Sequence, residues 1–290
     1  MVKRIIYLEG CWVNYQLHNP WGKYLTPPWP GRQPKPRIDG LTMVIDKGLD
    51  LVTTEQWLSV NADHVDFIKL GFGTAPLYPT EQLLKKIALV KSYGVDIYPG
   101  GTLLEVAVYQ NQGSALLSLV QELGFTYVEI SSGTIDMDPA LRRQLISEAQ
   151  TLGLGVLTEV GKKDNGALFD PKSIAHQIED DLATGAYRVI VEARESGKGI
   201  GIYDIAGNIR FDILRSILNG VTRQDSIMWE APQVSQQQKL LITLGPNANL
   251  GNVQPTDVLA LEATRLGMRS DTFRLSVQEV TTHAQVASIP

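Results

Sequence analysis

Cysteine occurs once in this chain, at Cys11, so no intramolecular disulfide can form and a reducing compartment, the cytoplasm, is the expected setting. Cys11 lies outside the charge pattern described below and reads as a bystander. Histidine is almost as scarce. His18, His64, His176 and His283 all fall away from the charged strand ends. This argues against a Ser-His-Asp triad and a histidine-based zinc site. No apolar run approaches the ~20 residues of a membrane span, and Glu9 interrupts the first one too early for a signal peptide. Positive charge is not in excess: the net charge of −5 argues against nucleic acid as a partner.

A repeated strand ending stands out instead. An apolar run stops at a charged residue and then meets glycine. This occurs in LTMVID-Lys47-Gly48, VDFI-Lys69-LG, YV-Glu129-ISSG, VLT-Glu159-VG and RVIV-Glu192-ARESG, while IMW-Glu230-AP ends at proline. Burying a charge costs several kcal/mol unless it is paired or bound. Packing therefore does not explain these residues, and convergence on one site does.

The 290 residues divide by composition. Residues 1–37 form an N-terminal extension rich in proline and tryptophan, which prevents regular structure. It is expected to pack on the following domain or on a neighbouring subunit, an extended partner-binding arm being the other reading. Residues 38–273 are regular, and 274–290 form a tail. Expected strands are 41–46, 65–70, 95–98, 126–131, 155–160, 187–193, 226–230 and 247–250. Helical patterns occupy 53–61, 80–93, 111–123, 138–151, 171–184, 210–219, 235–244 and 255–267. Asp138-Pro139 and Asp170-Pro171 place Asp at an N-cap and Pro at the first helical position. Gly94, Gly124, Gly153 and Gly185 close helices. Eight alternations over about 230 residues indicate an α/β fold, a (β/α)8 TIM barrel. A doubly wound sheet is the rival, but Asp46-Lys47-Gly48-Leu49 after the first strand is no dinucleotide-binding turn.

In a barrel the C-terminal strand ends share one face. That face would gather Asp46, Lys47, Lys69, Glu129, Glu159, Lys162, Lys163, Glu192, Arg194, Glu195 and Glu230. An all-oxygen carboxylate set suits Mg²⁺ or Mn²⁺. Neighbouring cations suit an anionic substrate or an acid–base lysine. The bland alternative is an ion-pair belt that merely closes the barrel, for example Lys69 against Asp46. The glycine-rich loop Glu195-Ser196-Gly197-Lys198-Gly199-Ile200-Gly201 could present backbone N–H groups to an anion, and the loop Tyr98-Pro99-Gly100-Gly101-Thr102 after the third strand is similar. Asn247, Asn249 and Asn252 flank the last strand, near where barrels often bind phosphate.

The stretches GLTMVIDKG (40–48), DFIKLGFGT (66–74), YPGGTLLE (98–105), GFTYVEISSGTI (124–135), VLTEVGKK (156–163), VIVEARESGKGIGIYD (189–204), WEAPQ (229–233), NLGNV and LEATRLGMRSDT resemble the phosphosulfolactate synthase family, the first enzyme of one route to coenzyme M. Relatives of a plant heat-stress-associated protein share the likeness. The resemblance covers roughly 38–273 and implies a (β/α)8 barrel and Mg²⁺ dependence. It also implies addition of sulfite to phosphoenolpyruvate, giving 2-phospho-3-sulfolactate. Lys163 is then the expected general acid, with Lys162 and Lys69 the other catalytic lysines. Glu129, Glu159 and Glu192 would hold the metal, with Asp46 and Glu230 as substitutes. Lys47, Arg194, Ser196, Gly197, Gly199 and Asn249 would contact the anions. The resemblance also implies a homo-oligomer, a trimer among its forms. One departure stands at Ser132, where many relatives carry an acidic residue. A Schiff-base aldolase and a non-enzymatic stress or interaction protein are the alternative readings.

Overall fold

The computed structural model describes residue 17 and residues 20–162 and 170–275. Eight parallel strands alternate with helices. The strands are β1 (Thr42–Asp46), β2 (Phe67–Leu70), β3 (Asp96–Pro99), β4 (Tyr127–Ser131), β5 (Gly155–Val160), β6 (Arg188–Val191), β7 (Ile227–Glu230) and β8 (Asn249–Val253). The helices are α1 (Leu51–Asn61), α2 (Thr80–Ser92), α3 (Gly101–Tyr109), α4 (Gly113–Glu122), α5 (Pro139–Thr151), α6 (Pro171–Thr184), α7 (Phe211–Gly220), α8 (Val234–Leu244) and α9 (Val258–Arg265). The strand order is β3-β2-β1-β8-β7-β6-β5-β4, a nearly closed (β/α)8 barrel. The expected caps are present: Asp138 accepts from the Ala140 N–H, and Asp170 accepts from those of Lys172 and Ser173.

The β3–β4 seam, where the ladder is open, is bridged by side chains at both ends. At the lower end Thr126 Oγ1 accepts from the Ile97 N–H at 2.9 Å. At the upper end Glu129 Oε1 accepts from the Gly101 N–H at 2.7 Å. A Cβ at Gly101 would lie 2.6 Å from the Ser131 Cβ, so only glycine allows this approach.

Period-2 alternation sorts the barrel interior into two layers. The lower layer is an apolar plug of Leu41, Met43, Phe67, Tyr98, Leu157, Ile190 and Met228, with Tyr127 and Tyr187 packed against it. Phe67 meets Tyr127 edge-on at 5.0 Å. Two residues further along five strands stand Lys69, Glu129, Glu159, Glu192 and Glu230, which inherit the inward direction. The opposite parity packs against the helices as the main core.

The proline-rich segment that precedes β1 packs against the lower face. Arg32, buried, grips Glu262 of α9 with two hydrogen bonds of 2.8 and 2.9 Å and donates to Gly40 O. Arg37 pairs with Asp66 at 2.8 Å, and the Trp29 N–H donates to Leu266 O. Cys11, Lys163 and the tail beyond 275 lie outside the described residues.

Candidate active site at the barrel mouth

Above the apolar plug lies a buried ionic layer. Lys69 Nζ stands 2.9 Å from Glu129, 3.4 Å from Glu159 and 3.5 Å from Glu230. These carboxylates are at most 1% exposed. Burial alone would depress the lysine pKa, but Glu129, Glu159 and Glu230 outweigh it and hold the pKa well above the usual value. Lys69 is therefore a resident ammonium. Burial pushes the Glu230 carboxyl up; Lys69 opposes that shift and Glu159 adds to it. The ion-pair partner of Lys69 is this trio rather than Asp46.

The layer opens into a cavity of about 500 Å³ whose lining includes Lys69, Glu159, Glu192, Glu230, Arg194 and Asn252. Glu159, Glu192 and Glu230 each place one carboxylate oxygen within 4.8 Å of the others. Three hard oxygen donors, with no sulfur or nitrogen among them, fit a divalent cation. Local contacts orient each one. Glu159 Oε1 lies 2.8 Å from Ser131 Oγ, Glu230 Oε2 accepts from the Ala193 N–H at 2.9 Å, and Glu192 Oε1 accepts from the Arg194 N–H. Arg194 has φ of 58°, a left-handed conformation costly for a residue with a side chain, held here by that hydrogen bond.

Other sequence candidates fall elsewhere. Asp46 has the opposite parity on β1 and faces the helix layer, where it pairs with buried Lys86 of α2 at 2.5 Å and accepts from the N–H groups of Gly48 and Leu49. It stands apart from the three clustered glutamates. Lys47 is at the rim, in an exposed pair with Glu195. Lys162 donates to Ser132 O, Ile135 O and Asp136, bracing the loop after β4. Ser132 accepts from Arg142, which is itself paired with Asp181. Ser196 lines the cavity. The Gly199 N–H is engaged with Asp204 O, and Gly197 O accepts from Gln236 of α8, so these contacts brace the loop against the barrel.

Asn249 is at the other end of the barrel. The expected strand 247–250 stops short of Gly251, whereas β8 runs Asn249–Val253. Asn249 therefore begins the strand at the lower face, donating to Asp225 O and Ile227 O. Its place at the mouth is taken by Asn252. Thr42 pairs with Leu250 and Val44 with Val253, so β8 carries one extra residue, a bulge. Asn252 sits there with φ of 53°, and its buried Oδ1 has no hydrogen-bond partner among the described residues.

Sequence reasoning missed α3 and with it Glu105. Gly100-Gly101 reads as a loop, yet it opens a helix. Glu105 is buried beneath the mouth, 2.6 Å from Ser131 Oγ, and accepts from the N–H groups of Gly133 and Thr134. The signal available in sequence was a lone charge in the otherwise apolar run Leu103–Ala107.

A (β/α)8 barrel with a buried lysine–carboxylate layer under a polar cavity defines a barrel enzyme whose chemistry is carried by charge at the C-terminal strand ends. The model of the (2R)-phospho-3-sulfolactate synthase family matches residues 30–271. The chain belongs to that family. It is 42% identical over 252 residues to a phosphosulfolactate synthase of Methanothermobacter thermautotrophicus, covering 86% of this chain and 96% of that one. It is 37% identical over 249 residues to the Bacillus subtilis protein of the same name, covering 85% and 97%. A 3-hexulose-6-phosphate synthase from Salmonella typhimurium superposes with a TM-score of 0.53 at 18% identity, covering 78% and 98%, a likeness of fold. No helix among the described residues is long and apolar enough to cross a membrane.

Proposed function

We propose that this chain adds sulfite to phosphoenolpyruvate at the barrel mouth, giving (2R)-2-O-phospho-3-sulfolactate. The observation that carries the reading is the layer of Lys69, Glu129, Glu159 and Glu230 under a polar cavity, in a chain of this family.

The sulfite sulfur forms a bond to the methylene carbon of the substrate. The C=C electron pair moves toward the carboxylate as an enolate-like charge, and a proton then reaches the adjacent carbon. All reactants are anions, so an acidic protein needs local cations to receive them. Arg194 lines the cavity and supplies one beside Ser196; Lys47 supplies another at the rim. Glu159, Glu192 and Glu230 would hold a divalent ion, with Mg²⁺ the expected one. That ion supplies Lewis-acid stabilisation of the charge on the substrate carboxylate. Lys163 is the proposed proton donor to carbon, following two residues after the loop glycine that ends β5. Lys69 holds its proton and fixes the carboxylates beneath the reacting atoms. A Schiff base at Lys69 would need a neutral amine, which the surrounding glutamates disfavour. The chain is proposed to work as a homo-oligomer in the cytoplasm, a trimer among its forms, which sedimentation would test.

The test of function is turnover of phosphoenolpyruvate with bisulfite, with and without Mg²⁺, followed by phosphorus NMR. A new Mg²⁺-dependent phosphoester signal is expected. Unchanged substrate, from folded protein across pH and divalent metals, would overturn the reading.

A further inference from the structure

Glu105 lies outside the cavity lining, yet its carboxylate is almost fully buried at 1% exposure. An ionised group in that position is expensive unless it organises other polar groups. Its contacts show what it organises. Oε1 lies 2.6 Å from Ser131 Oγ and accepts from the Gly133 N–H at 2.9 Å, while Oε2 accepts from the Thr134 N–H at 3.1 Å. Thr134 in turn lines the cavity. Ser131 is fully buried, and its Oγ also lies 2.8 Å from Glu159 Oε1, so the two carboxylates share one hydroxyl whose single proton goes to one of them at a time. The second oxygen of Glu159 faces Lys69.

We infer that Glu105 and Ser131 are positioning residues for Glu159. They set the direction of its carboxylate at the divalent-cation site and hold the β4 loop that walls the cavity. The inference rests on the reading of Glu159, Glu192 and Glu230 as the cation site. Three features support it. The Glu105–Ser131–Glu159 chain fastens α3, which follows β3, to the paired strands β4 and β5 across the seam where the β3–β4 ladder is open. Gly101, at the start of α3, is the residue that lets this helix approach Ser131. Groups behind a metal-binding carboxylate typically change metal affinity by 10–100-fold when removed.

The test is Mn²⁺ titration of the full chain by calorimetry, without substrate, on wild type, Ser131→Ala, Glu105→Gln and the double variant, each with a thermal melt. Ser131→Ala should weaken Mn²⁺ binding roughly 10-fold or more. Glu105→Gln keeps an oxygen toward Ser131 and should weaken it less. The double variant should match Ser131→Ala, since both residues act through one contact. In kinetics the apparent Mn²⁺ requirement should rise more than the KM for phosphoenolpyruvate. Wild-type Mn²⁺ affinity in Ser131→Ala, or single effects that multiply in the double variant, would overturn the inference. If wild type binds no divalent ion, the cation-site reading falls and the inference with it. Absence of sulfite-adding activity in wild type, with Mn²⁺ affinities ordered as above, would leave the inference standing and count against the proposed reaction.

Discussion

Replacing Lys69 by methionine tests the ionic layer most directly. The substitution nearly conserves volume, so cavity formation contributes little and the effect is electrostatic. Lys69 lies 2.9, 3.4 and 3.5 Å from three glutamates. At an effective dielectric of ~20 each contact is worth roughly 5 kcal/mol of gross attraction, most of it offset by desolvation of four buried charges. Removing one partner of a buried pair typically costs about 3–5 kcal/mol. At ~2 °C per kcal/mol for a large domain, that lowers Tm by about 6–10 °C. The pH dependence carries the sharper test. Without the ammonium, nothing offsets the burial and the Glu159 charge that already push the Glu230 carboxyl above its ordinary value, so its folded pKa stands well above the unfolded one. Groups of that kind contribute stability below the unfolded pKa and lose it as pH rises through the folded value. The deficit should therefore be largest near pH 8 and shrink toward pH 5. Lys69 itself has a raised pKa, so its contribution is full below the usual lysine value and constant over that window. Urea unfolding of both proteins at pH 5, 6.5 and 8, with chelator present, measures the difference. A deficit under ~1 kcal/mol at pH 8, or one independent of pH, would refute the reasoning.

Other outcomes follow from the same geometry. Arg32→Met should destabilise by about 3 kcal/mol at pH 7 with kcat unchanged, because it strands Glu262 at the far face. Burial pushes the Glu262 carboxyl up, but Arg32, joined by Arg265 and Arg37, offsets this and holds it below its ordinary value. That contribution is present above the unfolded pKa and lost as pH falls through the folded one, so the gap should close on acidification, as urea unfolding at pH 7 and 3.5 would show. Lys163→Ala should reduce turnover ~10²–10⁴-fold with substrate affinity retained, and stopped-time NMR with a binding titration separates the two. Asn252→Gly, which keeps the left-handed backbone, should raise the KM for an anionic substrate about tenfold, or ~1.4 kcal/mol, with little change in the melt.

The barrel was legible because both faces of its strands are covered, which leaves nearly continuous apolar runs punctuated by charge and glycine. The expected 155–160 coincides with β5, and 126–131 differs from β4 by one residue. The inward layer was legible too, since Lys69, Glu129, Glu159, Glu192 and Glu230 each follow a plug residue by two. What escaped notice depended on three-dimensional neighbours. Gly251 looks like a strand end but accommodates a bulge, which moved the mouth asparagine from 249 to 252. Lys86 falls within the expected helix 80–93 with nothing in the sequence to mark it, yet it is buried against Asp46 on the helix side of the sheet. Glu105 was hidden in a helix whose two opening glycines resemble a loop.

The grip of Arg32 on Glu262 spans 230 residues of sequence. On a ribosome the arginine emerges early and its carboxylate arrives only after nearly the whole barrel has been synthesised. At 5–20 residues per second that interval is about 10–50 s. Throughout it, the segment ahead of β1 has neither Glu262 nor the Leu266 carbonyl to hold. A nascent chain halted before α9 would thus carry an unpaired arginine at its unfinished floor, and closure of the barrel becomes one of the last events of synthesis.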